Sequence, residues 1–157
     1  MSVHDEIRQA NESYAADFDK GDLSAPPGRK FAVVTCMDAR LDPAKFLGLG
    51  EGDAHVIRNA GGLVTDDALR SLVISHHLLG TEEVLVIGHE GCGMVTFKDE
   101  DLQERLGTDV DFHAFPDLEE SVRSSVGKVR ESPLLPDSFS ATGFVYDVQS
   151  GELREVA

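Results

Sequence analysis

The chain has 157 residues, enough for one domain with a hydrophobic core, and carries 14 lysines and arginines against 29 aspartates and glutamates. The resulting net charge of −15 argues against nucleic acid and anionic membranes as partners, because clustered basic side chains bind both. Two explanations fit this acidity: an ordinary, well-hydrated surface, or adaptation to a high-salt cytoplasm.

The first thirty residues are expected to form a helix and a linker. Ser2–Lys20 has the pattern of an amphipathic helix, and Ser2 is a suitable N-cap. Gly21–Lys30 contains glycine, serine and two adjacent prolines, which is typical of a linker. We predict a single domain over 1–157, with this helix and linker at its start (1–30).

Strands and helices alternate in the rest of the chain. Two short runs, largely apolar and rich in β-branched residues, are typical of buried strands of a parallel sheet: Phe31–Cys36 and Glu83–Gly88. Ala54–Arg58 is predicted to be a strand between them in the chain. Helices are predicted from Asp42-Pro43 onward and over Thr65–Leu79, Asp99–Leu106 and Pro116–Glu131. A last strand, Gly143–Val148, is expected to turn back into Glu152–Val156. This order predicts an α/β fold: a largely parallel central sheet flanked by helices, with a C-terminal hairpin.

Side chains that bind soft metals stand at the ends of two predicted strands. Cys36 ends the first strand, and His89 and Cys92 follow the third in a glycine-rich segment. In open α/β sheets, ligand sites form beyond the carboxyl ends of the strands, so these side chains can meet there. Two thiolates and one imidazole are a suitable set for Zn²⁺, one ion per chain, with a fourth position left for water.

Asp38 and Arg40 follow Cys36 at alternate positions and would point to the same side of an extended segment. Arg40 can grip the Asp38 carboxylate with two hydrogen bonds and keep it ionised. Asp38 can then accept a hydrogen bond from zinc-bound water or hydroxide. We therefore expect Asp38 and Arg40 to be catalytic.

Three motifs together resemble the short bacterial and archaeal β-class carbonic anhydrases: Cys-Met-Asp-Ala-Arg at 36–40, Val-Ile-Arg-Asn-Ala-Gly-Gly at 56–62, and Gly-His-Glu-Gly-Cys-Gly-Met at 88–94. The resemblance implies Cys36, His89 and Cys92 as zinc ligands and Asp38 with Arg40 as the catalytic dyad. In some members of that family the aspartate closes the site, which would make Asp38 a fourth ligand. The resemblance also implies a homodimer or larger assembly with the site near the interface.

The implied reaction is the reversible hydration of carbon dioxide to bicarbonate, with zinc-bound hydroxide as nucleophile. Two thiolates cancel the charge of Zn²⁺, so activity should rise toward alkaline pH. The turn formed by Asn59, Ala60, Gly61 and Gly62 either walls the substrate pocket or is a tight strand–helix connection that needs glycine. Arg58 either bridges to a partner chain or pairs with a carboxylate.

Two other functions fit the same residues. One is hydrolysis of carbonyl sulfide or carbon disulfide on the same scaffold, and the other is a non-catalytic protein with structural zinc. The dyad argues against the second, because a structural site has no need of it. The sequence lacks a signal-peptide pattern and a membrane-spanning apolar run, and it has only two cysteines, so we expect a cytoplasmic protein.

Overall fold

The computed structural model describes residues 1–157 and contains five α-helices and five strands. In chain order they are α1 (Val3–Ala16), β1 (Phe31–Cys36), α2 (Pro43–Phe46), β2 (Ala54–Asn59), α3 (Asp66–Leu79), β3 (Glu83–His89), α4 (Asp99–Leu106), α5 (Leu118–Arg130), β4 (Ser140–Tyr146) and β5 (Leu153–Glu155). A single 3₁₀ turn spans Gly93–Val95. None of the helices is of the length and apolarity that crossing a lipid bilayer requires.

The strands form one sheet in the order β2-β1-β3-β4-β5. β1 runs parallel to β2 and to β3, and β3 runs parallel to β4, whereas β5 returns antiparallel to β4. The predicted α/β class, with a largely parallel sheet and a C-terminal hairpin, is confirmed. Cys36 lies opposite Asn59 in the register, so the carboxyl ends of β1 and β2 are level.

The core lies on both faces of the central strands, and all six residues of β1 are buried. Alternate side chains such as Ala32 and Val34 pack under α3 and α5, against Leu72 and Val126. The opposite face, which includes Val33, packs against the α2 region. This two-sided burial explains why the strand sequences are almost continuously apolar.

The boundaries of α3 follow from its caps. The Thr65 hydroxyl accepts a hydrogen bond from the Ala68 N–H at 3.2 Å, and Gly80 ends the helix with φ 79°. Asp117 caps α5 in the same way, through the Glu120 N–H at 3.0 Å.

Most predicted boundaries lie within two residues of the observed ones, and two are off by more. The N-terminal helix ends at Ala16 instead of Lys20, because α1 buries no residue that could hold its last turn and no basic side chain offsets the negative end. The last long strand begins at Ser140 instead of Gly143, because Ser140 already pairs with Glu83 of β3. The start of this strand is set by its pairing with β3, which the local sequence pattern does not indicate.

Candidate active site

Cys36, His89 and Cys92 converge at the carboxyl ends of β1 and β3. Their potential ligand atoms all lie within 4.8 Å of one another, and all three residues are buried. Cys36 and His89 are the last residues of their strands, and Cys92 lies three residues further on. The strand topology therefore brings together the three side chains that were predicted from the sequence as zinc ligands.

The geometry of His89 fits a metal ion at the centre of this cluster. Nδ1 lies 2.8 Å from the Glu90 carbonyl oxygen, and since a carbonyl only accepts, Nδ1 carries the proton. Nε2 therefore presents a lone pair, and it is buried without a hydrogen-bond partner. A buried polar atom without a partner is costly, and a cation between Nε2 and the two sulfurs would satisfy it. With two thiols and an imidazole as donors, the cation that fits is Zn²⁺.

The two thiols influence each other's ionisation. A hydrogen bond from the Cys92 thiol lowers the pKa of Cys36, aided by the backbone N–H groups of Asp38 and Gly61. The same hydrogen bond raises the pKa of Cys92. A cation bound between the two sulfurs would take both as thiolates, so its binding would release protons.

Arg40 holds Asp38 at the edge of the cluster. Its Nε and Nη2 donate to the two carboxylate oxygens at 3.0 and 2.7 Å, and its backbone N–H donates to Oδ1 at 2.8 Å. These hydrogen bonds hold the pKa of Asp38 well below its usual range. Asp38 Oδ2 is 3.6 Å from His89 Nε2, so an ionised carboxylate faces the centre.

Arg40 also joins the two segments that carry the ligands. Its Nη2 donates to the Gly91 carbonyl at 3.0 Å, which lies between His89 and Cys92 in the chain. One side chain therefore ties the segment after β1 to the segment after β3.

Arg58 does not pair with a carboxylate of this chain, and its bridging to a partner chain stays a prediction. Instead, its Nε donates to the Cys36 carbonyl at 2.9 Å and its Nη2 to the Asp38 carbonyl at 2.8 Å. The carboxylate-pairing interpretation is therefore wrong.

The turn after β2 packs against the end of β1. Gly62 has φ 65°, and a Cβ there would lie 2.8 Å from the backbone nitrogen of Cys36. Asn59 closes the turn by donating to the Leu63 carbonyl at 2.8 Å and accepting its N–H at 2.9 Å. The glycine at 62 thus has a backbone reason, while the role of the turn as a substrate wall stays a prediction.

An apolar shell around the cysteines was missed by the sequence reasoning. Leu41 and Met94 are buried with Cys36 and Cys92, and Phe115 packs against this group. The Phe115 N–H donates to the Met94 carbonyl at 3.2 Å, which brings the segment before α5 to the site. Met94 ends the third motif and Leu41 follows the first, but the motifs assign neither a role in such a shell, because it is assembled from three separate segments.

Known proteins resemble the whole chain. A family model described as carbonic anhydrase matches residues 31–111. Beta-carbonic anhydrase 1 of Mycobacterium tuberculosis (strain ATCC 25618 / H37Rv) is 44% identical, with 99% of both chains covered. A carbon disulfide hydrolase of Acidithiobacillus thiooxidans is 31% identical over 98% of this chain and 90% of its own. The crystal structure of carbonic anhydrase from Streptococcus mutans superposes with a TM-score of 0.92 at 45% identity, covering 100% of this chain and 99% of that one.

Proposed function

The chain belongs to the β-carbonic anhydrase family, and we propose that it catalyses the reversible hydration of carbon dioxide to bicarbonate. Cys36, His89 and Cys92 would hold Zn²⁺, and Asp38 with Arg40 would form the catalytic dyad. The observation that carries this proposal is the unpartnered His89 Nε2, which faces two sulfurs and an ionised carboxylate in one buried cluster.

When bound, Zn²⁺ supplies the Lewis acidity that makes a water molecule nucleophilic near neutral pH. The Asp38 carboxylate would accept a hydrogen bond from that water and so orient it toward carbon dioxide. Arg40 keeps Asp38 ionised and fixes its direction, because both carboxylate oxygens are bound to the guanidinium. Leu41 and Met94, which are buried with the two cysteines, make the surroundings of the ligands apolar, which suits a small apolar substrate.

The resting site is proposed to be open, with Asp38 off the metal. Both oxygens of Asp38 are engaged by Arg40 at 3.0 and 2.7 Å, so a movement of the carboxylate onto zinc would have to carry the Arg40 side chain with it or break these hydrogen bonds. The closed state remains accessible by a short movement, since Oδ2 is 3.6 Å from His89 Nε2.

Stopped-flow hydration of carbon dioxide at pH about 7 and about 9, on protein with quantified zinc, tests the proposal. We expect hydration that is faster at the higher pH and lost in Cys92→Ala. Stoichiometric zinc without hydration at either pH would overturn it.

Hydrolysis of carbon disulfide or carbonyl sulfide is a second candidate, supported by the 31% identity to a carbon disulfide hydrolase along nearly the whole chain. The discriminating assay is release of hydrogen sulfide from either substrate by the same zinc-loaded protein. Sulfide release that exceeds carbon dioxide hydration in kcat/KM would favour this candidate.

A homodimer or larger assembly is proposed from α1, which buries none of its residues although Val3, Ile7 and Tyr14 are exposed. A helix of 14 residues is marginal in water without a packing partner, so we infer that a second copy covers it. Met37 is also exposed beside the ligand Cys36, which supports an interface near the site. Sedimentation equilibrium should give at least twice the chain mass; a monomer would contradict the proposal.

The turn formed by Asn59, Ala60, Gly61 and Gly62 is proposed to line the substrate side of the site. Support comes from Gly62, where a Cβ would lie 2.8 Å from the backbone nitrogen of Cys36, so the turn packs closely against a ligand residue. Ala60→Leu should raise KM for carbon dioxide while the zinc content is unchanged, and an unaltered KM would count against this role.

The two free cysteines support a reducing cytoplasm as the location of the protein, which cell fractionation would test.

A further inference from the structure

We propose that Arg58 is a positioning residue that fixes the backbone between Cys36 and Asp38 and thereby places the Asp38 carboxylate. The inference rests on the proposed function, since it assigns Arg58 to the same site. The Arg58 side chain hydrogen-bonds neither to the donor atoms of the metal ligands nor to the dyad's carboxylate.

The guanidinium of Arg58 spans the segment that leaves the sheet after β1. Nε donates to the Cys36 carbonyl at 2.9 Å and Nη2 to the Asp38 carbonyl at 2.8 Å, so the two hydrogen bonds bracket Met37. The Met37 N–H donates to the Asn59 carbonyl at 2.8 Å. Arg58 and Asn59, which are adjacent in β2, thus hold the backbone of the three consecutive residues 36–38 that connect β1 to the site.

The choice of partner is informative in a chain with 29 acidic residues. Arg58 forms none of the ion pairs within the chain and uses two donors of its planar fork on backbone carbonyls. Lysine carries one compact ammonium group and cannot reproduce this geometry at two carbonyls. Geometry, and not charge alone, is therefore the property that we assign to Arg58.

Two arginines hold Asp38 at opposite ends of the residue. Arg40 binds the carboxylate, and Arg58 binds the carbonyl, which also accepts the Leu41 N–H at 3.0 Å. With Arg58 removed, the dyad would stay intact, but the Asp38 carbonyl would lose its hydrogen bond to β2, and the nearest remaining link would be that of Met37 to Asn59. A shift of the carboxylate relative to His89 Nε2, now 3.6 Å away, would follow. Small displacements of a group that orients a reactant are costly in rate.

The test compares Arg58→Met and Arg58→Lys with Arg70→Met as matched control. Arg70 lies on α3, is exposed, and pairs only with Asp67 at 2.9 Å. Arg58→Met should lower kcat for carbon dioxide hydration about ten- to hundredfold with KM unchanged. Arg58→Lys should be impaired to a similar degree, and Arg70→Met should match the wild type. Full rescue by lysine would overturn the proposal, because charge alone would then suffice.

A double-mutant cycle separates positioning from general damage. If Arg58 acts through Asp38, Arg58→Met should cost less than about twofold in kcat in an Asp38→Asn background, because the two changes remove one shared effect. An equal loss in both backgrounds would refute action through Asp38.

A second readout does not depend on the reaction. Arg58 also holds the carbonyl of the ligand Cys36, so Arg58→Met should release zinc to a chromogenic chelator several-fold faster than the wild type or Arg70→Met. If the wild type does not hydrate carbon dioxide, the proposed function is wrong, but the rate of zinc release still tests the role of Arg58. If the wild type is active, and Arg58→Met changes neither kcat nor the rate of zinc release, only the inference about Arg58 is refuted.

Discussion

Replacing Gly62 by alanine should disturb the zinc site through the backbone of Cys36. A Cβ at position 62 would lie 2.8 Å from the Cys36 nitrogen, 2.9 Å from the Thr35 carbonyl carbon and 3.0 Å from the Ile87 carbonyl oxygen. All three atoms belong to the central strands, which cannot yield as a flexible side chain would. The strand ends that carry the ligand must therefore move.

Two contributions to the free energy of unfolding add at this position. Gly62 has φ 65°, and a side chain in that region costs about 1–2 kcal/mol. Forcing a methyl group into well-packed surroundings costs a further ~1–3 kcal/mol. Gly80 is the matched control, because it has φ 79° but open space within 4 Å of its Cβ position. Gly80→Ala should thus cost only the first contribution.

Urea denaturation of both variants, with zinc affinity measured by chelator competition, tests this reasoning. We expect Gly62→Ala to lose at least ~1 kcal/mol more stability than Gly80→Ala, and to bind zinc more weakly, while Gly80→Ala keeps wild-type zinc affinity. Losses that agree within ~0.5 kcal/mol, with zinc affinity unchanged in both, would refute a clash with the strand backbone.

Three further predictions concern the core and the dyad. Leu72→Ala, at a fully buried position of α3, should destabilise the protein by about 2–5 kcal/mol in urea denaturation; Leu78→Ala, where 75% of the residue is exposed, should stay within ~0.5 kcal/mol of wild type, and equal losses would contradict the packing described. Asp38→Asn should lower the hydration rate about 10- to 100-fold at unchanged zinc content, whereas Asp67→Asn, an exposed acid of α3, should not; loss of zinc from Asp38→Asn would argue for a structural role. Because Arg40 lowers the folded-state pKa of Asp38, their interaction stabilises the protein above the ordinary aspartate pKa of about 3.9 and is lost as pH falls through the lower folded value. In zinc-free protein, the difference in free energy of unfolding between wild type and Arg40→Met, measured by urea denaturation, should therefore shrink as the pH falls below the ordinary aspartate pKa. A difference that does not change with pH would refute this.

The sequence was sufficient wherever the signal is local. Thr65 and Gly80 mark the two ends of α3, since a cap and a left-handed glycine act within a single turn of helix. The run Phe31–Cys36 is recognisable as a buried parallel strand, because a strand covered on both faces has to be apolar throughout. The two cysteines and His89 stand out since thiols and imidazole are scarce and have the chemistry of zinc ligands.

Tertiary structure decided what depends on residues far apart in the chain. The start of β4 at Ser140 was set by its pairing with Glu83, and the apolar shell of Leu41, Met94 and Phe115 was assembled from three segments. The role of Arg58 is the clearest case. Every residue has a backbone carbonyl that can accept a hydrogen bond, so the residue types at positions 36 and 38 do not indicate that Arg58 binds there. The guanidinium reaches these carbonyls because the carboxyl ends of β1 and β2 are level.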